Sequence, residues 1–88
     1  MSGGIPRGVP GKQVVTALEK AGFVAVRTKG DHRILRTQTP RPGGSAVVAV
    51  PLHRELATGT LAGILRRVGM TADEFRALPA ARNVGRRR

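Results

Sequence analysis

The alternation of apolar and polar positions divides the chain into a helix, three strands, a second helix and a short third one. Val14 or Val15, Leu18 and Ala21 or Gly22 recur at helical spacing, with Lys12, Gln13, Glu19 and Lys20 on the other side. This predicts a helix over residues 11–21, stopped by Gly22, since glycine tolerates the left-handed conformation just past a helix end. Phe23 to Lys29 reads as a strand, Gly30-Asp31 as a two-residue hairpin turn, and His32 to Gln38 as the return strand. That register sets Lys29 opposite His32, Arg27 opposite Ile34 and Val26 opposite Leu35. Side chains alternate in direction along a strand. Val24, Val26 and Leu35 are therefore expected on a core face, and Ala25, Arg27, His32, Ile34 and Arg36 on a wet, cationic one. Ile34 is the misfit, which a bulge would move.

Thr39 to Ser45, rich in proline and glycine, is a loop holding Arg41, and the apolar run Ala46 to Val50 is expected to be the most buried strand, ended by Pro51. Leu52 to Gly59 is a connection carrying His53, Arg54 and Glu55. Thr60 is placed to cap a helix with the stripe Leu61, Ile64, Leu65 and Val68, which Gly69 ends. Thr71 and Glu74 have capping-box spacing and open a short helix that turns Phe75 and Leu78 inward and stops before Pro79. Consecutive strands joined by short turns imply an antiparallel meander covered on one face by the two main helices. The expected fold is α+β, a two-layer sandwich in α-β-β-β-α order with a short extra C-terminal helix. Residues 11–78 form its single domain, 1–10 a flexible N-terminal arm and 79–88 a basic C-terminal tail.

Composition narrows the classes of function. Eighty-eight residues allow one small core, and the absence of cysteine excludes disulfides and thiolate metal sites. No apolar run approaches the ~18 residues of a membrane span, and Met1 to Pro6 lacks the apolar core of a signal peptide, so a cytoplasmic location is expected. The net charge of +11, mostly from arginine, favours an anionic partner. Nucleic acid comes first, an acidic protein second, and a membrane surface a distant third, because no basic amphipathic helix with bulky apolar anchors is evident. Arg82 and Arg86 to Arg88 read as a solvated end. The only aromatics, Phe23 and Phe75, are expected in the core, which argues against a base-stacking platform. RNA binding would then rest on phosphates and shape.

The segment Thr28-Lys29-Gly30-Asp31-His32-Arg33-Ile34 concentrates the candidate chemistry: a histidine among cations beside a tight turn. Together with two other segments it resembles the HicA-type toxins, small bacterial mRNA interferases with a fold like the double-stranded RNA-binding domain. The segments are Leu18 to Phe23; Lys29-Gly30-Asp31-His32; and Val50-Pro51-Leu52-His53 followed by Gly59-Thr60-Leu61 and Ile64-Leu65. The resemblance covers roughly residues 12–77. It implies that His32 is the catalytic residue, that mRNA is the substrate and that a HicB-type antitoxin protein is the partner. The family's usual form has serine before this histidine and often a second histidine after it; this chain has Asp31 and Arg33 there.

RNA can be cut without a metal, because its own 2′-OH is the nucleophile. Histidine suits the proton transfers, with an unperturbed pKa of ~6.5, and nearby cations would stabilise the charge that develops on the phosphoryl oxygens. In the expected register Arg27 and Arg36 share the His32 face, Lys29 lies across from it, and Arg33 points to the opposite face unless the strand is bent. Asp31 is either an ordinary turn residue or a carboxylate that favours the charged histidine. His53 is a loop residue on one reading, and a second proton-transfer group or RNA contact on the other. Two histidines with few carboxylates make a poor metal-ligand set, so no metal or other cofactor is expected. Arg66 and Arg67 end a helix, where cations offset its dipole, or else contact RNA. Two other readings compete with the nuclease: a non-catalytic RNA-binding module, in which His32 has no special role, and a basic adaptor for an acidic protein.

Overall fold

The computed structural model describes residues 4–78. The elements run α1 (Gly11–Lys20), β1 (Val24–Lys29), β2 (His32–Arg36), β3 (Val47–Pro51), α2 (Thr58–Val68) and α3 (Ala72–Ala77). The strands form one antiparallel sheet in the order β1-β2-β3, so the expected α+β meander is what the chain adopts. Val14 and Leu18 of α1, Leu61 and Val68 of α2, Phe75 of α3 and the inward residues Leu35, Val48 and Val50 of the sheet form one buried cluster. Each such side chain contributes about 1.5–3 kcal/mol by leaving water.

The hairpin register is as expected near the turn, with Lys29 opposite His32 and Arg27 opposite Ile34, and Gly30 takes a positive φ of 62°. Farther along, the expectation fails. A bulge between Ala25 and Arg27 sets Ala25, not Val26, opposite Leu35, and Val24 opposite Arg36. One extra residue on a strand reverses the facing of everything beyond it. Ala25 therefore takes the inward position against the core, while Val24 and Val26 are 63% and 52% exposed. Ile34 stays on the outer face, half-buried between Arg27 of β1 and Ala49 of β3; the bulge lies in the partner strand instead.

Other boundaries move by a residue or two. β2 ends at Arg36 rather than Gln38, although the Thr37 N–H still donates to the Ala46 carbonyl at 2.9 Å. α2 begins at Thr58 with Ala57 as its cap and no side-chain cap, so Thr60 lies inside the first turn; the Leu61 N–H reaches back to the Ala57 carbonyl. The capping box of α3 forms as expected, with Glu74 N–H donating to Thr71 Oγ1 at 3.0 Å and Thr71 N–H to Glu74 Oε1 at 2.8 Å. The segment before α1 is tied down at its end: Val9 is buried and accepts the Leu56 N–H at 2.8 Å. The basic tail, with Arg82 and Arg86 to Arg88, lies outside the described residues.

Candidate active site

Three chain segments converge at one end of the sheet. The pairing of β2 with β3 sets His32 opposite Pro51, so the chain leaving β3 starts beside the hairpin turn. The Leu52 N–H donates to the Asp31 carbonyl at 2.6 Å and holds the two together. The start of α1 closes in from behind, where the Gly11 N–H donates to the His53 carbonyl at 2.9 Å. A Cβ on Gly11 would stand 1.9 Å from the Pro51 carbonyl oxygen, so only glycine permits this approach. One backbone hydrogen bond thus ties the chain leaving β3 to the turn that carries Asp31, and the other ties the His53 carbonyl to the start of α1.

The side chains complete a chain of three. His32 Nδ1 donates to Asp31 Oδ1 at 2.8 Å, and His53 Nε2 donates to Asp31 Oδ2 at 3.0 Å. A carboxylate only accepts, so both ring nitrogens facing Asp31 carry their protons. That fixes the tautomer of each neutral ring and turns His32 Nε2 and His53 Nδ1 away from the carboxylate. The N–H groups of His53 first, and of His32 second, hold the Asp31 carboxyl below its ordinary value. The side chains remain 46% (His32), 62% (Asp31) and 56% (His53) exposed, so a polymer can reach all three.

The cations divide between the two faces of the sheet. Cross-strand partners share a face, which puts Lys29, Arg27 and Arg36 on the outer face with His32. The groove beyond His32 on this face is lined by Val26, Arg27, Ile34, Arg36 and Val47. Arg33 is on the other face, as the straight-strand expectation has it. It pairs with buried Val50 and lines a recess with Lys12, Val15, Thr16 and Glu19 of α1. Its Nε is buried and finds no hydrogen-bond partner among the described residues. Arg33 therefore does not join Lys29, Arg27, Arg36 and His32. Arg67 sits at the end of α2, and its Nε donates to the Val47 carbonyl at 3.0 Å.

His53 lies 22 positions beyond Asp31 in the chain, yet that carboxylate is what joins it to His32. In the sequence Asp31 reads chiefly as a turn residue. The signal for its second role is the strand register: with Pro51 opposite His32, the chain just past Pro51 must pass the turn. Among the described residues no group of three or more His, Cys, Asp or Glu is arranged to hold a metal ion, and no helix is long and apolar enough to cross a membrane.

Compared with known protein families, the chain matches the model of the HicA toxin of bacterial toxin–antitoxin systems over residues 11–70, from the first residue of α1 to just past α2. The match takes in Lys29, Asp31, His32 and His53. No curated protein matches the chain at a significant level.

Proposed function

The chain belongs to the HicA toxin family of bacterial toxin–antitoxin systems, and from that premise we propose that it is a metal-independent endoribonuclease that cuts mRNA through His32 and so inhibits translation and growth. The observation that carries this reading is the placement of His32: an exposed imidazole oriented by a carboxylate at 2.8 Å, at the end of an open sheet face that carries Lys29, Arg27 and Arg36. Such a face attracts the phosphate backbone without selecting bases. The imidazole nitrogen turned away from Asp31 is then available to a 2′-OH, and the cations offset the charge that develops on the phosphoryl oxygens. The products are a 2′,3′-cyclic phosphate and a 5′-OH end. Toxicity of this kind requires restraint in the cell, and the partner is a HicB-type antitoxin protein.

The test is cleavage of a long unstructured RNA in EDTA by the full chain and by its His32→Ala variant. Wild-type cleavage with the stated ends, lost in the variant while RNA affinity is retained, supports the reading. Tight binding by both without cleavage means a non-catalytic RNA-binding module. A strict magnesium requirement, or 5′-phosphate ends, eliminates the mechanism.

A further inference from the structure

Transesterification of RNA moves two protons. One leaves the attacking 2′-OH, and one must reach the departing O5′, which is otherwise an alkoxide and a poor leaving group. A site with one histidine leaves the second transfer to water. Here a second imidazole is held on the same carboxylate as the first, one ring to each oxygen, at 2.8 and 3.0 Å.

Resting on the endoribonuclease reading above, we infer that His53 is the second proton-transfer group of this site, the acid that protonates O5′ while His32 takes the 2′-OH proton, and that Asp31 is the positioning residue that orients both rings. The step balances within the site. The 2′-OH proton passes to His32 Nε2 as the O2′–P bond forms. The P–O5′ bond breaks, and O5′ takes the proton that protonated His53 carries on Nδ1. The two rings finish with their protonation exchanged, and solvent resets them. One carboxylate with one imidazolium and one imidazole is neutral as a group, and that is the state with one acid and one base.

The competing account makes the three side chains a staple between the turn and the loop after β3. The Leu52 N–H bond to the Asp31 carbonyl already supplies that staple, and the Gly11 N–H holds the same loop from the α1 side. Ion pairs this exposed add little to stability, so the staple account leaves the paired rings without a purpose.

The experiment compares wild type, His53→Ala, His32→Ala and Asp31→Asn on two oligonucleotides that span one wild-type cleavage site. One is ordinary RNA; the other has sulfur in place of O5′ at the scissile bond. A thiolate departs without being protonated, so loss of the acid is rescued on the sulfur substrate and loss of the base is not. His53→Ala is expected to slow ordinary RNA by about 10²–10⁴-fold, yet to cut the sulfur substrate within about tenfold of wild type. His32→Ala is expected to be slow on both. Asp31→Asn is expected to lower kcat by about tenfold or more with KM unchanged or reduced, because it removes a negative charge from an RNA-binding face. A merely structural carboxylate would not separate kcat from KM in that direction.

If His53→Ala does not fold, His53→Gln takes its place: its amide nitrogen can donate to Asp31 where Nε2 does, but it transfers no proton. Equal slowing of the His53 variant on both substrates, or wild-type rates on both, overturns the inference and leaves the nuclease reading standing. Failure of the wild type to cut either substrate in EDTA overturns the nuclease reading, and the inference with it.

Discussion

The two faces of the sheet are built from alternate residues of the same three strands, yet they obey different rules. On the inner face Leu35, Val48 and Val50 are almost fully buried beneath α1 and α2. On the outer face Lys29, Arg27, Arg36 and His32 stand in water around the half-buried Ile34 and Val47. The inner face carries the core, and the outer face carries the candidate site. The lesson is that a very small domain can keep the two apart with only the thickness of one sheet between them, because the period of two along a strand separates neighbours in sequence into different environments.

The largest effect should come from cutting into the inner face. Leu35→Ala removes a fully buried side chain and is expected to destabilise by about 2–5 kcal/mol, measured by denaturant unfolding; a loss under about 1 kcal/mol would mean that Leu35 does not belong to the core. Gly11→Ala attacks the boundary between the faces. Its Cβ collides with the Pro51 carbonyl, so a loss of about 1–3 kcal/mol is expected, together with slower RNA cleavage as the His53 loop shifts. Thr71→Ala, remote from both faces, removes the α3 capping box and should lower stability by about 1 kcal/mol with cleavage per folded molecule unchanged.

On the outer face the balance reverses. Arg27→Gln or Arg36→Gln should alter stability by no more than about 0.5 kcal/mol, while weakening RNA binding and lowering its salt slope by about one for each phosphate that is no longer neutralised. Unfolding and binding titrations at several salt concentrations measure both. The smallest effect is on Asp31 itself. Its carboxyl is held below the ordinary 3.8 by the two histidine N–H groups. The folded state therefore favours the ionised form: the contribution is present above the ordinary carboxylate range and is lost as pH falls through the depressed value. Carboxyl-carbon NMR should show a midpoint below 3.8 in the wild type, returning upward in His53→Ala; an unmoved midpoint would deny the His53 bond.

Much of this is legible in the sequence, for identifiable reasons. Helical stripes such as Leu61, Ile64, Leu65 and Val68 arise from burial on one side, and burial is what they show. The Gly30-Asp31 turn sets the register next to it, which puts Lys29 and Arg27 where they are expected. The bulge is not legible on β1, because Val-Ala-Val-Arg alternates acceptably in either phase. Packing against the core, which the sequence does not display, is what the inward Ala25 satisfies. The start of α2 is misread because Thr60 has the chemistry of a cap, whereas the helix begins from Ala57 with no side-chain cap at all. The His32–Asp31–His53 chain has no local signature. It depends on two strand registers and a loop acting together, and the sequence shows the parts without their meeting.

The bulge has a consequence of its own for solubility. β1 lies at the edge of the sheet, where an unbroken row of backbone donors and acceptors invites a strand from another molecule. The shift between Ala25 and Arg27 interrupts that row midway, and Arg27 and Lys29 follow it with two like charges. A second copy approaching in alignment meets a broken ladder at one half and its own cations at the other. An irregularity that looks like a flaw in the pairing thus makes the β1 edge a poorer template for a further strand.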